Sequence, residues 1–133
     1  MAIRRETEPS LLETIATLPD VKPHIVFTEG PIDWGQVIQG CIVLSNGKDA
    51  VSIFEESEPR VFEGHILFAP SHRGTEAEAT ARAMVAWMIP EHADSIWGAI
   101  PNDNRAARLF MRRIGFTPIA GEEVELFYTK RAE

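Results

Sequence analysis

The chain of 133 residues contains a single cysteine, Cys41, and a single tyrosine, Tyr128. One cysteine excludes an internal disulfide and fits a reducing compartment. No apolar run approaches the ~18 residues that a helix needs to cross a bilayer. Met1 to Ser10 is charged and lacks the apolar core of a signal peptide. These absences suggest a cytoplasmic protein with no membrane partner. Basic residues are also scarce: 13 Lys and Arg stand against 20 Asp and Glu, a net charge of -7. That balance argues against nonspecific nucleic-acid binding, which depends on cations meeting phosphate. It favours basic over acidic substrates. His24, His65, His72 and His92 lack metal-ligand spacing, and Cys41 has no nearby partner, so no metal site is expected. Cys41 lies in an apolar run and reads as a small core hydrophobe. There is no Gly-x-Ser-x-Gly elbow and no phosphate loop ending in Gly-Lys-Ser/Thr.

What remains is enough for one domain, residues 1–133, with its own core: 44% of the residues are hydrophobic and 25% charged. Pro9 to Leu18 predicts a first helix, with Leu11, Leu12, Ile15 and Leu18 on one face. Pro19 ends it. Asp20 to Gly40 is broken by Pro23, Gly30, Pro31 and Gly35, with a short strand expected over Ile25 to Thr28. Gly40 to Ser45 and Ala50 to Glu55 predict two strands, joined at Asn46-Gly47 by a hairpin turn or a small loop. Val61 to Ala69 predicts a third strand of the same meander, and Pro70 breaks it. A long helix follows to about Met88, with Ala77, Ala81, Met84, Val85 and Met88 as its apolar stripe. Ser95 to Ile100 is a strand. Phe116 to Ile119 and Glu123 to Lys130 are the last two, with Gly121 at the turn. The order of elements predicts a mixed α/β fold. Trp34, Trp87 and Trp97 are expected in the core or as lid residues, with Trp34 a candidate to border a ligand.

The densest signal lies between Asn104 and Phe116. Asn104 suits a helix N-cap and Gly115 suits the left-handed residue that ends a helix. Ala107, Phe110 and Ile114 form an apolar face. Arg105, Arg108 and Arg112 form a second face, within ~60° of one another at 3.6 residues per turn.

This segment resembles the last helix of the GCN5-related N-acetyltransferase (GNAT) family. In that family an Asn precedes a small residue by three positions, a tyrosine by seven, and a Gly-Phe pair by eleven and twelve. Here Asn104, Ala107, Gly115 and Phe116 hold that register, and Met111 stands at the tyrosine position. The sequence Ile66-Leu67-Phe68-Ala69-Pro70-Ser71-His72-Arg73-Gly74-Thr75-Glu76-Ala77 is similar to the acyl-CoA-binding strand, turn and helix of the family. Free N–H groups at a helix start attract a pyrophosphate, and glycine lets it approach. Glu76 and Glu78 depart from the small residues of the family pattern and place negative charge where the phosphate would arrive.

The resemblance spans roughly Val61 to Tyr128. It implies a GNAT-like, largely antiparallel sheet flanked by helices, with a shortened N-terminal half, since only one clear helix precedes the first strong strand. It implies an acetyl-CoA-dependent N-acetyltransferase with acetyl-CoA as co-substrate and a small-molecule or protein amine as acceptor. Phe68, Ala69, His72, Arg73, Gly74, Thr75, Asn104, Ala107 and Arg108 would then hold acetyl-CoA, with the arginine face near its 3′-phosphate. Glu63 and His65, two apart on the third strand, share a face and are candidates for the base that takes the amine proton. The other explanation of these polar residues is a solvated surface. A thioether cannot donate a proton, so the general acid is unassigned, with Tyr128 the only tyrosine able to replace it. The alternative is a non-catalytic GNAT-fold structural or regulatory protein, of the kind phages carry in or beside virions. An open cleft between the strands at Phe68 and Ile100 favours the enzyme, and a filled one the scaffold. A homodimer is among the open oligomeric states.

Overall fold

The computed structural model describes residues 2–22, 31–119 and 124–130. The strand expected over Ile25 to Thr28 and the turn at Gly121 lie outside them. In chain order the elements are β1 (Arg4–Arg5), α1 (Ser10–Ala16), α2 (Trp34–Gly40), β2 (Ile42–Ser45), β3 (Ala50–Glu58), β4 (Val61–Phe68), α3 (Thr75–Met88), β5 (Ser95–Pro101), α4 (Arg105–Arg113), β6 (Thr117–Ile119) and β7 (Val124–Lys130). The strands form one sheet in the order β1-β2-β3-β4-β5-β7-β6. All neighbours are antiparallel except β4 and β5. The fold is the expected mixed α/β architecture with a largely antiparallel sheet.

The β2–β3 connection is a small loop built on a side chain. Asn46 Oδ1 accepts the backbone N–H groups of Lys48, Asp49 and Ala50, each at 3.0 Å. Gly47 takes a positive φ of 80° there. This is the Asx geometry that lets Asn and Gly nucleate turns.

Alternation along the strands sends side chains into two cores. Leu44, Phe54, Phe62, Ile96 and Phe127 pack against Ala81 and Met84 of α3 and Ile114, just past the end of α4. Val43, Val51, Ile53 and Leu67 pack against Leu12 and Ile15 of α1 and Trp34 of α2. Trp34 therefore belongs to the core and does not border the cleft described below.

The front half holds short elements, as expected: β1 has two residues, and α1 and α2 seven each. It also holds a helix that the sequence pattern did not reveal. Asp33 caps α2, its Oδ1 accepting from Gly35 N at 3.0 Å and Gln36 N at 3.3 Å. Gly35 and Gly40 inside a seven-residue helix obscured it.

β4 and β5 pair in parallel at only three positions, Val61 with Ser95, Phe62 with Ile96 and Glu63 with Trp97. Arg60 anchors the start of this seam. Its carbonyl accepts from Asp94 N at 2.8 Å, and its Nε lies 3.0 Å from Asp94 Oδ1. Beyond Glu63 and Trp97 the two strands no longer pair, and a cleft opens between them.

Gly64 sits at the apex of that opening. A Cβ there would lie 2.9 Å from Phe54 Cε1 and 3.2 Å from Ile96 Cγ2, inside the packed core. Gly98, across the cleft, has room for one: a Cβ would meet Met111 Cε and the Gly64 carbonyl oxygen at 3.5 Å. Gly64→Ala is expected to lose about 1–3 kcal/mol of stability through overpacking, and Gly98→Ala markedly less. Urea unfolding of the two variants checks this, and equal losses would rule out the packing explanation.

Candidate active site

The cleft between β4 and β5 has a volume of about 480 Å³. It passes through the plane of the sheet. Phe54, Phe110 and Ile114 line it from the α3/α4 side, and Asp20, Val21 and Leu67 from the α1 side. The cause is the short seam: once β4 and β5 diverge, their facing edges carry backbone groups with no strand between them. Phe68 and Ile100 both line this open cleft.

Of the residues picked out in sequence, His65, Phe68, Arg73, Asn104 and Ala107 line the cleft. Asn104 caps α4: its Oδ1 accepts from Ala107 N at 3.1 Å. At the other end of α4, Gly115 takes a φ of 98°. Both terminal signals in the sequence therefore do the structural work they suggest. Phe68 packs edge-on against Phe110 at 5.6 Å between ring centroids, joining β4 to α4 across the cleft.

Gly74 is the N-cap of α3, at φ 68° and ψ -138°. It provides no side-chain cap, and nothing lies within 4 Å of the place a Cβ would occupy. The first N–H groups of an α-helix have no partner within the helix, so α3 begins with an open donor end. Thr75 and Glu76 are exposed. Glu78 turns along the helix toward Arg82, at 3.9 Å. Arg73 folds back over the preceding turn, its Nη1 donating to the carbonyls of Phe68, Ala69 and His72 at 3.1–3.3 Å.

His72 and Arg108 point elsewhere. The imidazole of His72 is buried between Asp49 and Thr80. Arg108 Nη1 donates to the Asn102 carbonyl. Ala69 is buried, and its N–H donates to Asp49 O at 2.8 Å. Arg105 and Arg112 are exposed on α4.

Glu63 and His65 lie on the sheet face shared with Leu67, toward α1 and α2. Glu63 Oε1 and His65 Nε2 are 2.9 Å apart, both side chains partly buried. Glu55 stands directly opposite Glu63 in the β3–β4 register. Trp97 is opposite Glu63 on the other side, and Tyr128 is opposite Trp97. The Trp97 and Tyr128 rings stack at 6.4 Å, and Trp97 Nε1 donates to Ser57 Oγ at 3.0 Å. This row of carboxylates and aromatics was not recognised in sequence as a unit. Strand alternation could have suggested it, but only with the register in hand.

Met111 lines the cleft from α4. Tyr128 does not stand in for it. Phe127, its neighbour on β7, packs in the core that Met111 touches, so Tyr128 projects from the opposite face. Cys41 is half-buried rather than fully buried. Burial, and then the Glu55 carboxylate, push its thiol above the ordinary value of 9.0. It stays protonated near neutrality and is a poor nucleophile.

A splayed parallel pair, an open helix start beside it and a capped helix across it frame the cleft. No family model and no curated protein sequence matches the chain. Solved structures do. The chain is similar to a point variant of the spermidine N-acetyltransferase SpeG of Vibrio cholerae, with TM-score 0.73, 15% identity, and 98% of this chain and 95% of that one covered. It is similar to yncA of Salmonella typhimurium, solved with its cofactor acetyl-CoA, with TM-score 0.68, 16% identity and coverages of 99% and 94%. A GNAT-family acetyltransferase of Streptococcus pneumoniae matches with TM-score 0.70, 16% identity and coverages of 97% and 98%. The chain has the fold of GNAT acetyltransferases.

Proposed function

We propose that the protein is an acetyl-CoA-dependent N-acetyltransferase acting on a cationic amine. The observation that carries this reading is the cleft through the sheet, with a different chemical character on each side. The α3/α4 side suits the acyl donor. The open N-terminus of α3, backed by its dipole, favours a pyrophosphate. The free edge of β4 around Phe68 offers backbone groups to the amides of a pantetheine arm. Asn104, which lines the cleft, spends its oxygen on the helix cap and keeps its amide N–H₂ as a donor. Glu76 is exposed and Glu78 is drawn toward Arg82, so the glutamates of the first turn leave the helix axis open. When bound, acetyl-CoA supplies the activated thioester.

On the α1/α2 side His65 and Trp97 line the cleft, and Glu55, Glu63 and Tyr128 stand beside them in the strand register, a set that suits an amine. Glu55 and Glu63 are directly opposed like charges, an arrangement that costs stability in a sheet until a cation joins it. Trp97 and Tyr128 add aromatic faces that attract cations. Glu63 and His65 together accept the proton that an ammonium must lose before its nitrogen can form an amide bond. Met111, which lines the cleft, has no proton to give a thiolate leaving group, so that proton would come from water.

Calorimetry with acetyl-CoA tests the donor side. Binding in the micromolar to millimolar range is expected, and absence of binding heat at millimolar concentration overturns the proposal. Asn104→Ser keeps a capping oxygen but removes the amide donor. It is expected to hold its melting temperature while losing about tenfold in acetyl-CoA affinity. A non-catalytic GNAT-fold scaffold is the second reading, favoured by Met111. Acetyl transfer to a di- or polyamine, reduced in Glu63→Gln, excludes it.

A further inference from the structure

The turn between β4 and α3 has few backbone bonds of its own. Between Ala69 and Gly74, His72 N donates to Ala69 O at 2.9 Å, and Ala69 N reaches out to Asp49 O. The segment is instead tied down by side chains from two places, the β2–β3 loop and α3. Asp49, in the β2–β3 loop, accepts Ser71 Oγ on Oδ2 at 3.0 Å. Its Oδ1 lies 3.2 Å from His72 Nδ1 and accepts Asn46 Nδ2 at 2.8 Å. On the far side of the ring, His72 Nε2 lies 2.7 Å from Thr80 Oγ1, on the second turn of α3. Asp49, His72 and Thr80 are all buried, at 8%, 7% and 0% exposure.

Hydroxyl, imidazole and carboxylate in this order have the connectivity of a hydrolytic triad. Thr80 is sealed from solvent, however, so no substrate reaches it, and the array holds rather than reacts. Buried polar groups are costly when unpaired, so this chain has one well-satisfied arrangement and strong reason to keep it. Burial acts to raise the Asp49 carboxyl. The hydrogen bonds from Asn46 and Ser71, and the neighbouring His72 and Lys48, outweigh it and hold the group below its ordinary value. The acceptor end of the array is therefore a carboxylate at neutral pH.

We infer that His72 is a positioning residue. Clamped between Asp49 and Thr80, it fixes the Pro70–Gly74 turn and with it the open N-terminus of α3. It also supports Phe68, whose ring stacks on the imidazole at 5.6 Å and lines the cleft. The β2–β3 loop, outside the cleft, thereby sets the shape of one cleft wall. The geometry stands without any ligand, while its consequence for binding rests on the function proposed above.

The test is amide hydrogen exchange on the full chain. Thr80→Val keeps the shape and removes the hydroxyl, and Thr80→Ser restores it. In Thr80→Val, exchange at the hydrogen-bonded amides of Ala69, His72 and Glu78 is expected to speed up about tenfold or more, with α4 amides unchanged, and Thr80→Ser is expected to return it close to wild type. In the wild-type protein, nitrogen-15 spectra are expected to show a His72 Nδ1 proton shielded from water, which serves even if a variant fails to fold. Unchanged exchange, a uniform rise across the molecule, or a freely exchanging Nδ1 proton overturns the inference. Acetyl-CoA affinity is expected to fall about tenfold in Thr80→Val. Local loosening in a protein that binds no acetyl-CoA defeats the enzyme proposal and leaves the positioning role standing. Local loosening with wild-type affinity confines His72 to the turn and overturns its link to the cleft.

Discussion

Phe127→Ala is expected to unfold at a much lower temperature than the wild-type protein, while Tyr128→Ala, one residue along the same strand, is not. Phe127 is fully buried, paired across from Gly98 beside the β4–β5 seam, in the core beneath α3 and α4. Removing a ring of this kind costs about 3–5 kcal/mol, from lost burial and the cavity left behind. A globular domain has only about 5–15 kcal/mol in total. For a chain of this size the melting temperature is expected to drop by roughly 10–20 °C. Tyr128 is half-buried on the other face, stacked on Trp97, and its truncation leaves no enclosed cavity. Thermal unfolding by circular dichroism decides the matter. Equal drops for the two variants would mean that the core does not lie where Phe127 points.

The second large effect is a gain. Met111→Tyr is expected to raise kcat for acetyl transfer by about 10- to 100-fold, with little change in the KM for acetyl-CoA. Met111 lines the cleft on α4, seven residues after Asn104, and the wild-type side chain offers the departing sulfur no proton. A positioned proton donor is worth about 10²–10⁴ in rate, and the lower part of that range allows for an unoptimised hydroxyl. Met111→Phe separates the hydroxyl from the ring: it fills the same space and is expected to give no gain. If Met111→Tyr and Met111→Phe behave alike in steady-state kinetics, proton supply at this position does not limit turnover.

These two residues also show what could be read in the sequence. The α4 segment was legible because its signals are local. Asn104 caps, Gly115 turns left-handed, and the apolar face repeats every three to four residues. The three-stranded meander, the long helix ending at Met88 and the general fold class were legible for the same reason. The first helix is shorter than its pattern, Ser10–Ala16 rather than Pro9 to Leu18, because the α-helical ladder ends with Thr17 N on Glu13 O and Leu18 N bonds to Ile15 O, only three residues back. β1 could not be seen: two arginines pair with Leu44 and Ser45 only because an edge is there to receive them.

The site was legible by composition and not by direction. Phe68, Arg73 and Asn104 line the cleft, each placed by its own turn or cap. His72 faces inward because Asp49 and Thr80, 23 residues before it and eight after, present partners that a linear pattern does not bring together. The Glu55, Glu63, Trp97 and Tyr128 row depends on strand register across three ladders, which is set by the sheet as a whole.

The short β4–β5 seam divides the molecule in a further sense. Every other pairing joins strands on the same side of that seam in the chain: β1 to β4 among themselves, and β5 to β7 among themselves. The sheet is thus two consecutive halves riveted by three residue pairs. A molecule seated in the cleft touches both halves and acts as a fourth rivet. Occupancy therefore registers as slower cleavage of the whole chain by a protease, a signal that reports a ligand before its identity or its chemistry is known.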